Sequence, residues 1–369
     1  MKIGILTFHK SENYGSALQA FALCRALKAV EPSNGVEIID YSNERQKELY
    51  SIFVKNSSPK NLIKNLRSFL NLAQLRRRKR GFNEFINSKL PLSAEHFESE
   101  KQLKAHKSEY DLIICGSDQI WNPQSVDFSL SFFGVDFKCA KASYAPSIRD
   151  AEESDFKPYE NEIRKALSDF GKISLREKRS LPVLQKYTEK PIDCVCDPTL
   201  LLDCADYNSI CTNNKLPEDY IFYYSIDYNP QSVEMVKHIS KATNKPVFII
   251  FSTNKTYSVY FKGFHLAKNN APGDFVNLIK NASLVLSTSF HGVAFSVIYR
   301  KPFFALKTRG YTDSRINDLL NEIGLGERYI DFETYENTDY LAPVNYDEEA
   351  IMRLRSYSLN YLKDCLNDR

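Results

Sequence analysis

What the chain lacks narrows its function first. Its eight cysteines form no Cys-x-x-Cys pair and no zinc-like repeat, so neither a structural metal nor a disulfide frame is expected, and buried free thiols are. Cys194-Val195-Cys196 reads as a buried strand. No run of about 18 apolar residues occurs, so no membrane-spanning helix is expected. The opening apolar stretch Ile3 to Leu6 is too short for a signal peptide. A cytoplasmic protein follows from these readings. The net charge of +3 lacks the clustered basic excess of a dedicated nucleic-acid binder, and no short-period repeat appears.

At 369 residues, with 43% apolar and 26% charged side chains, the chain fits two globular domains. Ile3 to Phe8 reads as a buried strand, His9 to Gly15 as a polar loop, and Ser16 to Val30 as an amphipathic helix leading to a strand at Val36 to Asp40. Ligands sit in the loop after such a first strand, which makes Asn13 and Gly15 candidate contacts. Further strands at Tyr110 to Cys115, Lys141 to Ala145, Ile173 to Leu175 and Asp193 to Cys196 end in polar loops. Among these, Gly116 and Asp118 stand directly at a strand's carboxyl end, beside the single tryptophan Trp121. Arg176 lies just past another such end, where its fork would face a crevice.

Asn213, Asn214 and Pro217 mark a linker, after which alternation resumes: strands at Tyr220 to Tyr224 and Val247 to Phe251, helices at Gln231 to Thr243 and Phe275 to Lys280. A closing helix spans Asp347 to Leu366. Strand and helix alternate in both halves, so two α/β domains with parallel sheets are expected: residues 1–205, residues 206–345, and a closing helix in 346–369. A basic helical insertion at about 55–90 is assigned to the first. Between Lys55 and Arg80 it carries no acidic residue, and Leu62, Ile63, Leu66, Phe69, Leu70 and Ala73 recur at helical spacing. A segment of this kind either packs on its domain as a solvated helix, lies on an anionic membrane face, or holds an acidic substrate.

The chain is organised around Leu284 to Leu306. A short apolar run, a polar corner from Ser287 to Gly292, and an apolar-periodic run from Val293 to Tyr299 stopped by Pro302 predict strand, tight loop, short helix and strand. His291 and Gly292 then lie at a helix N-terminus, where unpaired amides and the dipole attract anions. Ser289 adds a hydroxyl, and a histidine with an ordinary pKa of about 6.5 can move a proton near neutrality. Arg315, at the start of a later helix, is placed to aim at the same crevice.

With these residues in view, the chain resembles the polysaccharide pyruvyl transferase family. The matching pieces are Asn13-Tyr14-Gly15, Gly116-Ser117-Asp118-Gln119-Ile120-Trp121-Asn122, Ser143-Tyr144-Ala145-Pro146-Ser147, Ser174-Leu175-Arg176-Glu177, Asp197-Pro198-Thr199-Leu200-Leu201, Ser287-Thr288-Ser289-Phe290-His291-Gly292 and Ser314-Arg315-Ile316, in family order. The resemblance implies two Rossmann-like domains facing a cleft, as in the GT-B architecture, with a last helix returning to the first domain. It also implies transfer of pyruvyl from phosphoenolpyruvate to a sugar hydroxyl pair in a surface polysaccharide or its lipid-linked precursor, forming a ketal at the inner face of the membrane.

No cofactor is implied beyond phosphoenolpyruvate as donor. The family's donor arginine is matched by Arg176. Its Arg-Leu-His triplet reads Ser289-Phe290-His291 here, which leaves Arg315, Arg309, Arg149 or the helix N-terminus to replace the second arginine. The resemblance makes His291 the acid or phosphate contact, Arg176 the anion clamp and Asp118 a base or sugar contact. Two alternatives stay open. One is a GT-B-type glycosyltransferase using a nucleotide sugar, with Glu327 as a weak candidate for the ribose; the other is a non-enzymatic sugar-binding protein.

Overall fold

The structure is a computed structural model that describes residues 1–226, 228–252, 256, 263–308 and 313–367. The chain divides into two compact units. The first comprises Met1–Ser51, Ile86–Leu202 and Met352–Arg369, the second Ile52–Phe85 and Asp203–Ile351. The basic segment, expected as an insertion of the first domain, therefore belongs to the second unit. Arg77 Nη1 donates to the Lys268 carbonyl (2.7 Å) and Asn270 Nδ2 to Gln74 Oε1 (3.1 Å). These partners lie nearly two hundred residues along the chain, where no local pattern reveals them.

In the first unit, strands β1 (Lys2–Leu6), β2 (Gly35–Tyr41), β3 (Leu92–Phe97), β4 (Leu112–Cys115), β5 (Ala140–Ser143), β6 (Phe170–Leu175) and β7 (Ile192–Cys194) form one sheet in the order β3-β2-β1-β4-β5-β6-β7. All neighbours are parallel, with Ile3 level with both Val36 and Leu112. At the centre of the sheet β4 is a continuous apolar run because both its faces are covered. β4 reads Leu-Ile-Ile-Cys and is buried throughout. The helix Tyr14–Val30 covers one face with thirteen buried residues and ends in an extended Glu31. Trp121, 0% exposed, stacks on Phe133 at 4.6 Å and meets Phe170 edge-on. Its indole N–H donates to the Phe132 carbonyl (3.0 Å), so this tryptophan is a core residue.

The second unit repeats the plan. Strands β8 (Ile221–Tyr224), β9 (Val247–Ile249), β10 (His265–Leu266), β11 (Leu284–Ser287), β12 (Phe303–Leu306) and β13 (Tyr329–Ile330) run parallel in the order β10-β9-β8-β11-β12-β13. Its core includes Tyr223, Val236, Ile249, Leu286 and Phe304. The helix Phe290–Ile298 is buried along its whole length. It starts three residues earlier than the apolar periodicity indicated, because Ser289 is its N-cap.

The closing helix, Glu348–Asn367, packs on the first unit from Met352 onward. Ser358 Oγ accepts the Cys196 N–H (3.0 Å), Tyr361 OH donates to the Ser143 carbonyl (2.9 Å), and Arg355 donates to the Leu200 and Leu202 carbonyls (2.9 Å each). Among the described residues no helix is long and apolar enough to cross a membrane.

Candidate functional site

In both sheets the strand order reverses between a first and a fourth strand, β1 and β4 in one unit and β8 and β11 in the other. Loops leaving two such strands run to opposite faces, and the crevice between them is where open α/β sheets bind ligands. The expected site residues sort into these two corners. Asn13, Gly15, Gly116, Asp118 and Arg176 belong to the first unit; Ser289, His291, Gly292 and Arg315 belong to the second.

At the first corner, a hydrogen-bonded chain ties the loop after β4 to the helix after β1. Gln19 Nε2 donates to Thr7 Oγ1 (2.8 Å), Thr7 Oγ1 to the Ser117 carbonyl (3.0 Å), and the Ser117 N–H to Gln19 Oε1 (3.3 Å). Gly116 has φ +138°, and a Cβ there would stand 2.0 Å from the Tyr144 carbonyl oxygen. Only glycine fits that approach.

Asp118 follows at φ +75° and Ala145, at the end of the next strand, at +51°, a conformation costing non-glycine residues roughly 1–3 kcal/mol each. The Asp118 carboxylate is 7% exposed and accepts from Ser16 Oγ and from the Gln119 N–H (2.8 Å). Asn13 caps the helix by accepting the Gly15 N–H (2.9 Å). Its side-chain oxygen therefore orients the helix start, and Ser16, not singled out from the sequence, is what reaches Asp118.

Arg176 sits in a nest of carboxylates. Nη1 is bonded to Asp197, Nε lies 3.5 Å from Glu177 Oε1 and Nη2 4.0 Å from Asp118 Oδ1. Only 2% of its side chain is exposed. The carboxylates have further donors of their own. Thr199 gives Asp197 Oδ1 its N–H (2.9 Å) and hydroxyl (2.7 Å), and Ser147 Oγ donates to Glu177 (2.5 Å). The guanidinium is thus buried, as a group facing a crevice rather than bulk solvent would be, and it is engaged by acidic groups of its own unit. Asp197 and Glu177 lay inside recognised motifs, but their meeting on Arg176 had no local signal.

The nearby Tyr144 phenol and Cys196 thiol are held towards their neutral forms. Burial pushes the Tyr144 hydroxyl well above its ordinary range, and it donates to the Cys196 carbonyl (3.1 Å). Burial likewise pushes the Cys196 thiol up to about 11, which leaves no thiolate nucleophile there.

At the second corner, the hydroxyls of β11's loop lock onto the end of β8. Ser287 Oγ donates to the Tyr224 carbonyl (3.0 Å) and accepts the Ser289 N–H (3.0 Å), while Thr288 Oγ1 donates to Ser225 Oγ (2.7 Å). A Cβ on Gly292 would stand 2.1 Å from Ser287 Oγ, so glycine is what allows the helix to start this close to the strand. Ser289 makes no side-chain capping bond, which leaves the first-turn amides uncovered by their cap residue. His291 lies in that first turn, 8% exposed, its ring edge-on to Phe290 at 5.2 Å.

Arg315, in the first turn of the helix Ser314–Glu322, approaches Phe290. Its guanidinium lies 5.8 Å from the Phe290 ring centre and grips Asp313 with Nε (2.9 Å) and Nη2 (2.6 Å). A helix start, an imidazole and a guanidinium braced by Asp313 thus gather around Phe290. Of the other basic candidates, Arg149 lies on the first unit with Nε 3.3 Å from Asp150, and Arg309 falls outside the described residues. Glu327 is a surface carboxylate beside Arg328 (3.4 Å). Ser225 and Asp313, the partners that shape this corner, carry no recognisable sequence signal.

Comparison with solved structures gives two neighbours of similar plan and a third that overlays more weakly. A UDP-GlcNAc 2-epimerase from Methanocaldococcus jannaschii overlays with a TM-score of 0.52 at 14% identity, covering 97% of this chain and 100% of that one. A further UDP-N-acetylglucosamine 2-epimerase gives 0.52 at 11% identity, covering 99% and 94%. The E. coli ADP-heptose LPS heptosyltransferase II gives 0.41 at 12% identity, covering 100% and 99%. At these identities the likeness to the two epimerases is one of fold, two Rossmann-like α/β units of GT-B type. Among curated proteins there is no match. Sequence places the chain more narrowly: the model of the polysaccharide pyruvyl transferase family matches residues 13–309, a span that takes in every strand from β2 to β12 and the residues Asn13, Asp118, Arg176 and His291 but ends before Arg315, and the chain belongs to that family.

Proposed function

We propose that the protein transfers pyruvyl from phosphoenolpyruvate to a pair of sugar hydroxyls, forming a ketal. The observation carrying this reading is the second unit's corner, where helix Phe290–Ile298 starts without a side-chain cap and Phe290 has the His291 ring on one side and the Arg315 guanidinium near it. Phosphoenolpyruvate carries a phosphate and a carboxylate, and the corner offers two cationic features for them. The phosphate goes to the helix amides and the carboxylate to Arg315, which stands in for the arginine that Ser289 replaces.

The chemistry needs one proton delivered to the methylene carbon, and His291 is the group assigned to deliver it. A sugar hydroxyl oxygen then bonds to the neighbouring carbon. The carbon–oxygen bond to phosphate breaks, and a second hydroxyl closes the ketal. One hydroxyl proton balances the methylene proton and the other leaves with phosphate. Asp118 is assigned as a base or sugar contact, with Ser16 and Arg176 as its neighbours.

The test is phosphate release from phosphoenolpyruvate in the presence of sugar acceptors, with mass spectrometry for the ketal. His291→Ala should abolish both signals, and phosphate release that persists in it would remove the assigned role. A thermal-shift panel separates the glycosyltransferase reading: stabilisation by nucleotide sugars and none by phosphoenolpyruvate would replace the pyruvyl reading.

A further inference from the structure

The helix Pro59–Leu70 is mounted inside out. An amphipathic helix on a globular protein ordinarily turns its apolar stripe to the core. Here Leu62, Ile63, Leu66, Phe69 and Leu70 are 60%, 52%, 61%, 66% and 74% exposed, while Ser68 on the opposite side is buried. At 3.6 residues per turn, Leu62, Leu66 and Phe69 form one line and Ile63 and Leu70 a second beside it.

Polar pins hold this orientation. Asn65 accepts the Val54 N–H (2.9 Å) and donates to the Val54 carbonyl (2.7 Å), and Asn61 Nδ2 donates to the Lys55 carbonyl (2.8 Å). Ser58 caps the start by accepting the Asn61 N–H (3.2 Å). The helix is thus anchored through its amide face, which leaves the apolar face outward.

What fits that face is decided by charge. No acidic residue occurs from Lys55 to Arg80. Lys60, Lys64 and Arg67 are exposed and flank the apolar stripe, and Arg76, Arg77 and Arg80 are exposed on the following helix, Leu72–Lys89. A second copy of the chain would bring these like charges together. A bilayer of anionic lipid suits both features, since apolar side chains enter the acyl boundary while lysine and arginine meet the phosphates.

We propose that helix Pro59–Leu70 docks the protein flat onto an anionic lipid surface. This does not depend on which donor the enzyme uses, because the readout below involves no turnover.

The test is co-sedimentation of the full chain with vesicles of phosphatidylcholine alone or mixed with phosphatidylglycerol. Binding is expected only with phosphatidylglycerol, and it should weaken as salt is raised. Leu66→Ser/Phe69→Ser and, separately, Lys60→Glu/Lys64→Glu/Arg67→Glu should each weaken binding roughly tenfold or more. Both should keep the parent's thermal midpoint, since the altered side chains are exposed. Three results would overturn the proposal: no sedimentation with anionic vesicles, sedimentation unchanged in both variants, or a lipid-free dimer that Leu66→Ser/Phe69→Ser converts to monomer.

Discussion

Gly292 and Ser287 are in such close approach that a single added methyl group would reach the serine: a Cβ on Gly292 would lie 2.1 Å from Ser287 Oγ and 2.7 Å from its Cβ. The same hydroxyl bridges to the Tyr224 carbonyl and the Ser289 amide. Gly292→Ala must therefore push the helix start away from β11. Overpacking of this kind costs about 1–3 kcal/mol, and a lower urea midpoint with loss of phosphate release is the expected outcome. Ser287→Gly combined with Gly292→Ala should recover part of the stability, because the obstructing side chain is gone.

Arg176 is the cation shared by Asp197, Glu177 and Asp118 inside the first unit. Arg176→Met leaves buried carboxylates without it, and removing one partner of a buried pair costs about 3–5 kcal/mol. Denaturant unfolding of the variant should show that loss. Were Arg176 instead a loosely held surface group, the two midpoints would coincide.

Asp40 supplies an acid-sensitive element. Burial pushes its carboxyl up, but hydrogen bonds from His9 (3.0 Å) and Lys10 outweigh this and hold it well below the usual range. His96 also lies 3.0 Å from its second oxygen. A carboxylate whose pKa is lowered by folding contributes stability that is complete above its unfolded value, about 3.9, and is lost as pH falls below that. The urea midpoint should therefore drop in acid below about pH 4, and Asp40→Asn should flatten that limb of the curve. An unchanged acid limb in the variant would assign the sensitivity elsewhere.

Arg315 offers a direct test of the donor assignment. A charge-assisted hydrogen bond contributes about 1.5–3 kcal/mol, so Arg315→Gln should raise the KM for phosphoenolpyruvate by roughly tenfold or more. The effect on kcat should be smaller, because the group is assigned to holding the substrate's carboxylate rather than to proton transfer. A parent-like KM would remove Arg315 from the donor site.

Strands such as β4 and β8 were legible because each is a short apolar run between polar loops; the readings Tyr110 to Cys115 and Tyr220 to Tyr224 contain Leu112–Cys115 and Ile221–Tyr224. Three of the four edge strands of the described sheets, β3, β10 and β13, were not. β3 reads Leu-Ser-Ala-Glu-His-Phe, and β10 and β13 have two residues each, since a strand with one neighbour need not be apolar along its length. At the sites, the polar corners after β4 and β11 were visible as composition. Their orienting partners were not: Ser16 meets Asp118 across 102 positions and Thr288 meets Ser225 across 63.

Sequence alone determined where strands and helices alternate, which face of each helix is apolar, and where hydroxyls, a histidine and glycines gather at a helix start. Those features are local, set by side-chain spacing and by backbone needs within a few residues. Only the tertiary structure decided that Arg176 would face three carboxylates, that residues 52–85 would join the second unit, and that Pro59–Leu70 would turn its apolar side outward. Periodicity tells which surface of an element is greasy, but what comes to cover it is decided by contacts between residues far apart in the chain.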